Sequence, residues 1–307
     1  MKIEYKKFAN SFILSALCLS LLYGCSSCNG NTKKDDDGEE LTDSGKDTVK
    51  NTVVNINGEL FSVPSPVQTA LLLQKSGVVY DKNILNPSNR VNTYSTDFYR
   101  AINLGVYGAD LGYVSLYNQS QDALSYLAAV KQLSDKLGIS AAFDAPTMGR
   151  ITKNITNKDS MMVLVGLAYR SSDAYLKNNQ RNDISTMILA GGWLESVHFS
   201  LSALKTKPTD ALKQRIAEQK QPLTSLIKIL GSNTSPEVAE LNVLLNDLAK
   251  IYEGVGFKYT FVEPTTDSTK KITYINCTTE ALISEEQLKL IAAKVQEIRN
   301  KLVNTTT

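Results

Sequence analysis

The chain of 307 residues contains a single histidine, a single tryptophan and four cysteines. One histidine excludes a three-His zinc centre and a di-iron centre with paired Glu-x-x-His motifs. There is no Gly-x-Gly-x-x-Gly, no P-loop and no His-Glu-x-x-His, and Cys25-Ser26-Ser27-Cys28 has no second Cys-x-x-Cys to pair with, so the common cofactor and metal signatures are missing, and we expect neither cofactor nor metal. Surplus charge is also lacking: 33 Lys+Arg stand against 31 Asp+Glu. Nucleic-acid binders usually carry a basic excess, so no nucleic-acid partner is expected.

The first 24 residues have the form of a targeting segment. Lys2, Lys6 and Lys7 make a positive start, and Phe12 to Tyr23 form an apolar run too short to span a bilayer comfortably. The run ends in Leu22-Tyr23-Gly24-Cys25, which resembles a bacterial lipobox, with Tyr23 a departure from its usual small or aliphatic residue. The resemblance implies that Cys25 is lipidated and becomes the mature N-terminus. Only a thiol can carry the thioether-linked diacylglycerol, and two or three acyl chains hold a protein on a membrane far more firmly than one. Residues 25–50 carry seven acids against four lysines and no aromatic residue, and read as a disordered acidic tether. Asp35-Asp36-Asp37 resembles a surface-export signal of Bacteroidota lipoproteins, although it stands further from the cysteine than is usual. The expected location is the outer membrane, on its periplasmic face or at the cell surface. A Cys28–Cys277 disulfide is chemically allowed there but has no framework around it.

Residues 51–307 read as a single mainly α domain, a multi-helix antiparallel bundle or array with one or two small β-hairpins. Asn57-Gly58 between β-formers marks one hairpin over 52–62. Alternation over 256–277 marks another. Ser65-Pro66 opens a helix that Gly77 ends. Further helices are expected near 95–118, 120–137, 145–156, 158–180, 182–204, 209–230 and 235–254. Ser120, Asp144 and Ser235 serve as candidate caps, and Pro222 should kink or split the seventh of these helices. Ser284 with Gln287 makes a capping box for a last helix to about residue 303.

Two helices carry unusual side chains. In 95–118, Ala101, Gly105, Gly108 and Gly112 fall within an arc of about 60°. Each glycine costs nearly 1 kcal/mol in a helix interior, so another backbone should cross there at close range. The opposite side offers Tyr99, Asp110, Tyr113 and Tyr117, which read either as a polar ligand groove or as a satisfied core network. Helix 182–204 is apolar all round and therefore central, yet it holds Glu195, His198 and Ser202 on one face. Glu195 needs a buried donor, and His198 and Arg170 are the candidates. A Ser–His–acid site on one helix lacks a strained elbow and an oxyanion hole. Ser202-x-x-Lys205 and Ser225-x-x-Lys228 match a Ser–Lys spacing that chance alone supplies.

The lipobox, Val63-Pro64-Ser65-Pro66, Asn103 to Tyr113 (NLGVYGADLGY), Ser172-Asp173-Ala174-Tyr175-Leu176 and Leu189-Ala190-Gly191-Gly192-Trp193-Leu194-Glu195 resemble a group of uncharacterised, mainly helical Bacteroidota lipoproteins. The similarity extends over most of the chain after residue 60 and implies location and lineage, not mechanism. In that lineage Asp47-Thr48-Val49, Asp159-Ser160-Met161 and Asp267-Ser268-Thr269 fit a loose O-glycosylation motif. Two functions follow as expectations. The first is a non-enzymatic, membrane-anchored module that binds a protein or small-molecule partner, or serves as a scaffold. The second is an envelope hydrolase acting on glycan or peptide through carboxylates, with Asp110, Asp173, Glu195 and His198 as its catalytic set. A glycosidase would need two of those acids flanking one cleft.

Overall fold

The computed structural model describes residues 52–56, 59–63, 66–143 and 145–304, with backbone alone for 52–63 and for Ala145. The targeting segment, Cys25, Cys28, the tether, Asp144 and the motif at Asp47 lie outside the described residues. The protein is mainly α with a few small hairpins. β1 (Thr52–Ile56) pairs antiparallel with β2 (Glu59–Val63), Ile56 opposite Glu59, while Asn57-Gly58 lie outside the described residues. The helices are α1 (Pro66–Lys75), α2 (Asp97–Leu116), α3 (Ser120–Lys136), α4 (Ala145–Lys153), α5 (Lys158–Asn178), α6 (Asn182–Thr206), α7 (Asp210–Ala217), α8 (Lys220–Leu230), α9 (Pro236–Glu253) and α10 (Glu285–Val303).

Local chemistry sets the helix ends. Gly77, at φ +70°, ends α1 in the left-handed conformation that glycine adopts without strain. Thr96, Asn157 and Thr209 cap α2, α5 and α7 by accepting from the backbone N–H groups of Tyr99, Ser160 and Leu212. Ser284 and Gln287 form the full reciprocal box at the start of α10. Ser120 is not a cap but the first helical residue of α3, and Ser235 precedes α9 without a side-chain cap bond. The expected helix 209–230 is split into α7 and α8, with Pro222 in the first turn of α8, where its missing N–H costs nothing. Between α1 and α2 two short 3-10 turns (Lys82–Ile84 and Ser88–Asn92) form a strap that the periodic pattern did not mark.

One helix pair organises the body. Sixteen of the twenty residues of α2 and eighteen of the twenty-five of α6 are buried, so other elements cover both nearly all round. A Cβ on Gly105 would stand 2.0 Å from the Ile188 carbonyl oxygen, and one on Gly191 would stand 1.9 Å from that of Ile102. The two backbones therefore touch, and only glycine fits at either point. Ile102 faces Gly191 while Tyr113 stacks near Phe199 at 4.9 Å between ring centres, so the pair runs in the same sense. Gly108 serves a different purpose, because its missing Cβ makes room for the Tyr169 hydroxyl, which donates to the Gly105 carbonyl at 3.0 Å. Around Gly112 a Cβ would meet only Val67 at 3.8 Å, an ordinary contact, so that glycine is not needed for close approach.

Of the described residues, those from 52 to 258 and from 279 to 304 make up the body. Residues 259–278 fall in a separate compact unit and are described by themselves. The second expected hairpin is in fact two nested strand pairs: β4 (Thr265–Asp267) pairs antiparallel with β5 (Ile272–Tyr274), while β3 (Gly256–Thr260) pairs with β6 (Thr278–Leu282), beyond the expected limit of 277. Asp267 closes the inner turn by accepting from the N–H groups of Thr269 and Lys270.

Candidate functional site

The strongest concentration of buried polar groups lies where α2, α6, α10 and the strap between α1 and α2 meet. Asp110 from α2 and Glu195 from α6 are both 0% exposed, and Arg299 from α10 is 7% exposed. Glu195 and Arg299 form a two-pronged pair: Nε donates to Oε2 and Nη2 to Oε1, each at 2.6 Å. The donor to Glu195 is thus Arg299, neither His198 nor Arg170. Its signal was present in the sequence, since Arg299 falls among Val295, Ile298 and Leu302 on the apolar face of α10, where a charge has to find a partner.

The strap completes the cluster. The Ile84 carbonyl accepts from Arg299 Nη2 at 3.0 Å and lies 3.0 Å from His198 Nε2. Asn86, fully buried, donates to the Tyr94 hydroxyl and to Asn103 Oδ1. Asn103 Nδ2 donates to the Leu302 carbonyl at 2.9 Å, and the Tyr94 hydroxyl donates to that of Val303 at 3.3 Å. The last carbonyls of α10 have no partner within the helix, so these side chains cap it from outside. Tyr107 donates to the Pro87 carbonyl at 3.0 Å.

Electrostatics follow from this burial. Desolvation pushes the Asp110 carboxyl well above its usual range, the adjacent Glu195 carboxylate pushes it further, and Arg299 opposes both. Burial disfavours the Arg299 charge, but Glu195 more than offsets this and holds the guanidinium above its ordinary pKa. Burial pulls His198 below its usual value, so it stays neutral near pH 7, with Nε2–H facing the Ile84 carbonyl. The surrounding phenols of Tyr94, Tyr107 and Tyr126 are all raised, burial being the largest cause.

Such an arrangement suits structure better than hydrolysis. Asp110 and Glu195 lie together inside the protein rather than on either side of an open cleft. Asp173 is elsewhere, on α5, engaged by Lys177 at 2.6 Å and by the Ser185 hydroxyl. Glu195 is taken by Arg299 and His198 by a backbone carbonyl, so no Ser–His–Glu relay forms with Ser202. The Ser–Lys spacings lie on the regular bodies of α6 and α8. The tyrosine groove does not form either. Tyr113 is 0% exposed, and its hydroxyl accepts from the Asp81 N–H at 3.0 Å. Tyr117 donates to the Val78 carbonyl at 2.7 Å, and both rings pack on Tyr80. Tyr99 packs edge-on against Phe98, in a different part of α2. Among the described residues no cluster of His, Cys, Asp and Glu is placed to hold a metal ion.

Hollows also lie outside this cluster. One, about 40 Å³, is lined by Leu104, Gly108, Phe143, Met148, Ile151 and Tyr169 and is almost wholly apolar. Another, about 360 Å³, is a polar surface groove between the start of α6 and the α8–α9 connection, with Asp183, Thr186, Ser232 and Asn233 on its walls. No helix among the described residues is long and apolar enough to cross a membrane. Comparison with family models, with curated proteins and with solved structures found no match.

Proposed function

We propose that the chain is a lipid-anchored protein of the bacterial envelope, attached through Cys25 at the outer membrane, and that its helical body is a non-enzymatic binding or scaffold module. The observation that carries this reading is the enclosure of the candidate catalytic acids: Asp110 and Glu195 have no exposed surface, and Asp173 is tied to Lys177 and Ser185. A glycan- or peptide-cleaving site has to admit a polymer between two carboxyl groups, and these groups admit none. Contact surface for a partner is available instead. In the unit 259–278, Tyr259, Phe261 and Val262 stand 62%, 64% and 40% exposed, the kind of apolar surface that binding proteins present.

The test is a turnover assay with purified protein on envelope glycan and on its peptide cross-links. We expect no product above background from the wild type, and no difference between it and Asp173→Asn or Glu195→Gln. Turnover that disappears in either variant would establish the hydrolase instead.

A further inference from the structure

Besides the neutral His198, three groups in the central cluster can carry charge: Asp110, Glu195 and Arg299. Glu195 takes the Nε and Nη2 donors of the single guanidinium, one on each oxygen, and Nη2 also donates to the Ile84 carbonyl. Among the described residues no hydrogen bond of good geometry reaches either oxygen of Asp110 or Asn86 Oδ1; the Asn86 backbone N–H lies near enough to favour the ionised form of Asp110, but burial and Glu195 outweigh it. The other elements packed on α2 supply no second cation among the described residues. α6 presents Glu195 and neutral His198, the strap presents Tyr80 and Tyr94, α3 presents Tyr126 and α5 presents Tyr169. Tyr107 faces it from α2 itself, and Lys75, the one titratable residue of α1, is exposed. An ionised carboxylate with neither solvent nor a donor is among the costliest groups a fold can hold. A neutral carboxyl has an O–H to give, and the neighbouring Glu195 carboxylate can accept it.

We propose that Asp110 is kept as a neutral acid whose proton bridges to Glu195, and that loss of this proton at alkaline pH undocks the last turn of α10, making the Asp110–Glu195–Arg299 cluster a proton-dependent latch on the C-terminal helix. Without the proton the cluster holds two carboxylates against one guanidinium and needs water. Its members nearest the surface are Arg299 and His198, at 7% and 8% exposure, both on the Ile84 carbonyl that joins the strap to α10. Water therefore enters by parting α10 from the strap, which breaks the Asn103–Leu302 and Tyr94–Val303 bonds.

Sign and window follow from linkage. The folded state retains a proton that the unfolded chain loses near pH 4, so stability falls as pH rises, by about tenfold in the folding equilibrium per pH unit, until Asp110 ionises in the folded state. His198 acts oppositely below about pH 6.5, because the unfolded state is then the one that takes up a proton. Comparing wild type with Asp110→Asn cancels that contribution. Asparagine keeps the shape, cannot ionise and can still donate to Glu195.

The experiment measures denaturant unfolding of the full chain from pH 5 to 10, with hydrogen exchange of the α10 amides alongside. We expect the ratio of variant to wild-type folding constants to grow about tenfold per unit through neutral pH, and the protection factors of the α10 amides, which remove the base-catalysed rise of the intrinsic rate, to fall with alkali in the wild type only. Parallel stability profiles, or α10 protection factors insensitive to pH, would overturn the latch. Carbon-13 labelling of aspartate side chains in the wild type provides a check that needs no variant. One aspartate carboxyl should keep its protonated chemical shift at pH 7. If every aspartate has ionised by then, or the retained proton is found on a glutamate, the assignment to Asp110 fails.

Discussion

Adding one methyl group at each glycine of α2 in turn should separate three different physical situations. At Gly105 the new Cβ would lie 2.0 Å from the Ile188 carbonyl oxygen, whereas real Cβ atoms essentially never approach closer than 3.0 Å. The oxygen belongs to the backbone of α6 and cannot rotate away, so the crossing has to open by about 1 Å. A gap of that size forfeits a quarter to a half of the dispersion energy of each contact along the seam. The cost should be about 3 kcal/mol or more, even after the roughly 1 kcal/mol by which alanine exceeds glycine in helix propensity. In a body of this size each kcal/mol moves the melting temperature by about 2–4 °C, so Gly105→Ala should melt about 6–12 °C lower. Gly108→Ala meets a side chain, the Tyr169 hydroxyl at 2.2 Å. The ring can shift at the cost of its hydrogen bond to Gly105, about 1–2 kcal/mol. Gly112→Ala meets only Val67 at 3.8 Å and should be neutral or raise the midpoint by a few degrees. Thermal unfolding followed by circular dichroism ranks the three. A Gly105→Ala midpoint within 2 °C of wild type, or a Gly112→Ala loss as large as that of Gly105→Ala, would refute the backbone contact between α2 and α6.

Glu195→Ala should destabilise the fold by about 3–5 kcal/mol, because it strips the counter-ion from a guanidinium only 7% exposed. An unchanged or raised denaturation midpoint would remove the structural role. Asp110 is the one other carboxyl able to ionise against Arg299, so Asp110→Asn should make Glu195→Ala worse. Additive losses in a double-mutant cycle would contradict that coupling. Cys25→Ala should abolish incorporation of labelled palmitate and leave the leader uncut; label retained in the variant would disprove the anchor.

Much of the fold was legible because the helices carry their own punctuation. Pro66 opens α1 and Gly77 closes it, and the reciprocal Ser284–Gln287 pair opens α10, all through bonds within a few residues. Local chemistry also explains the errors. Ser120 was read as a cap because serine favours that position, yet α3 already begins there, after a turn made by Asn118 at φ 57°. Thr96, Asn157 and Thr209 cap their helices but stand among other polar residues, so nothing in the sequence singled them out. The strap over 78–94 has no period to detect, since 3-10 turns and extended residues alternate within it. The arc of small residues announced a close crossing, but spacing alone could not say that Gly105 meets backbone, Gly108 a tyrosine and Gly112 nothing unusual.

The central cluster was half legible for a related reason. Asp110 and Glu195 stood out because each is an acid in a helix that is otherwise apolar on nearly every side. Proximity in the chain points from Glu195 to His198 and Arg170, although its partner lies 104 residues away, on α10. Burial demands a counter-charge but does not say which distant element brings it. The informative pattern was the intrusion of Arg299 into the apolar stripe of α10, the mirror image of the acids on α2 and α6. Apolar faces that each contain one charged residue can be packed together only when those charges meet. Three such faces with two acids and one base then leave one acid over. A proton has to make up the difference, and this is how Asp110, for which no cation is left, can stay buried.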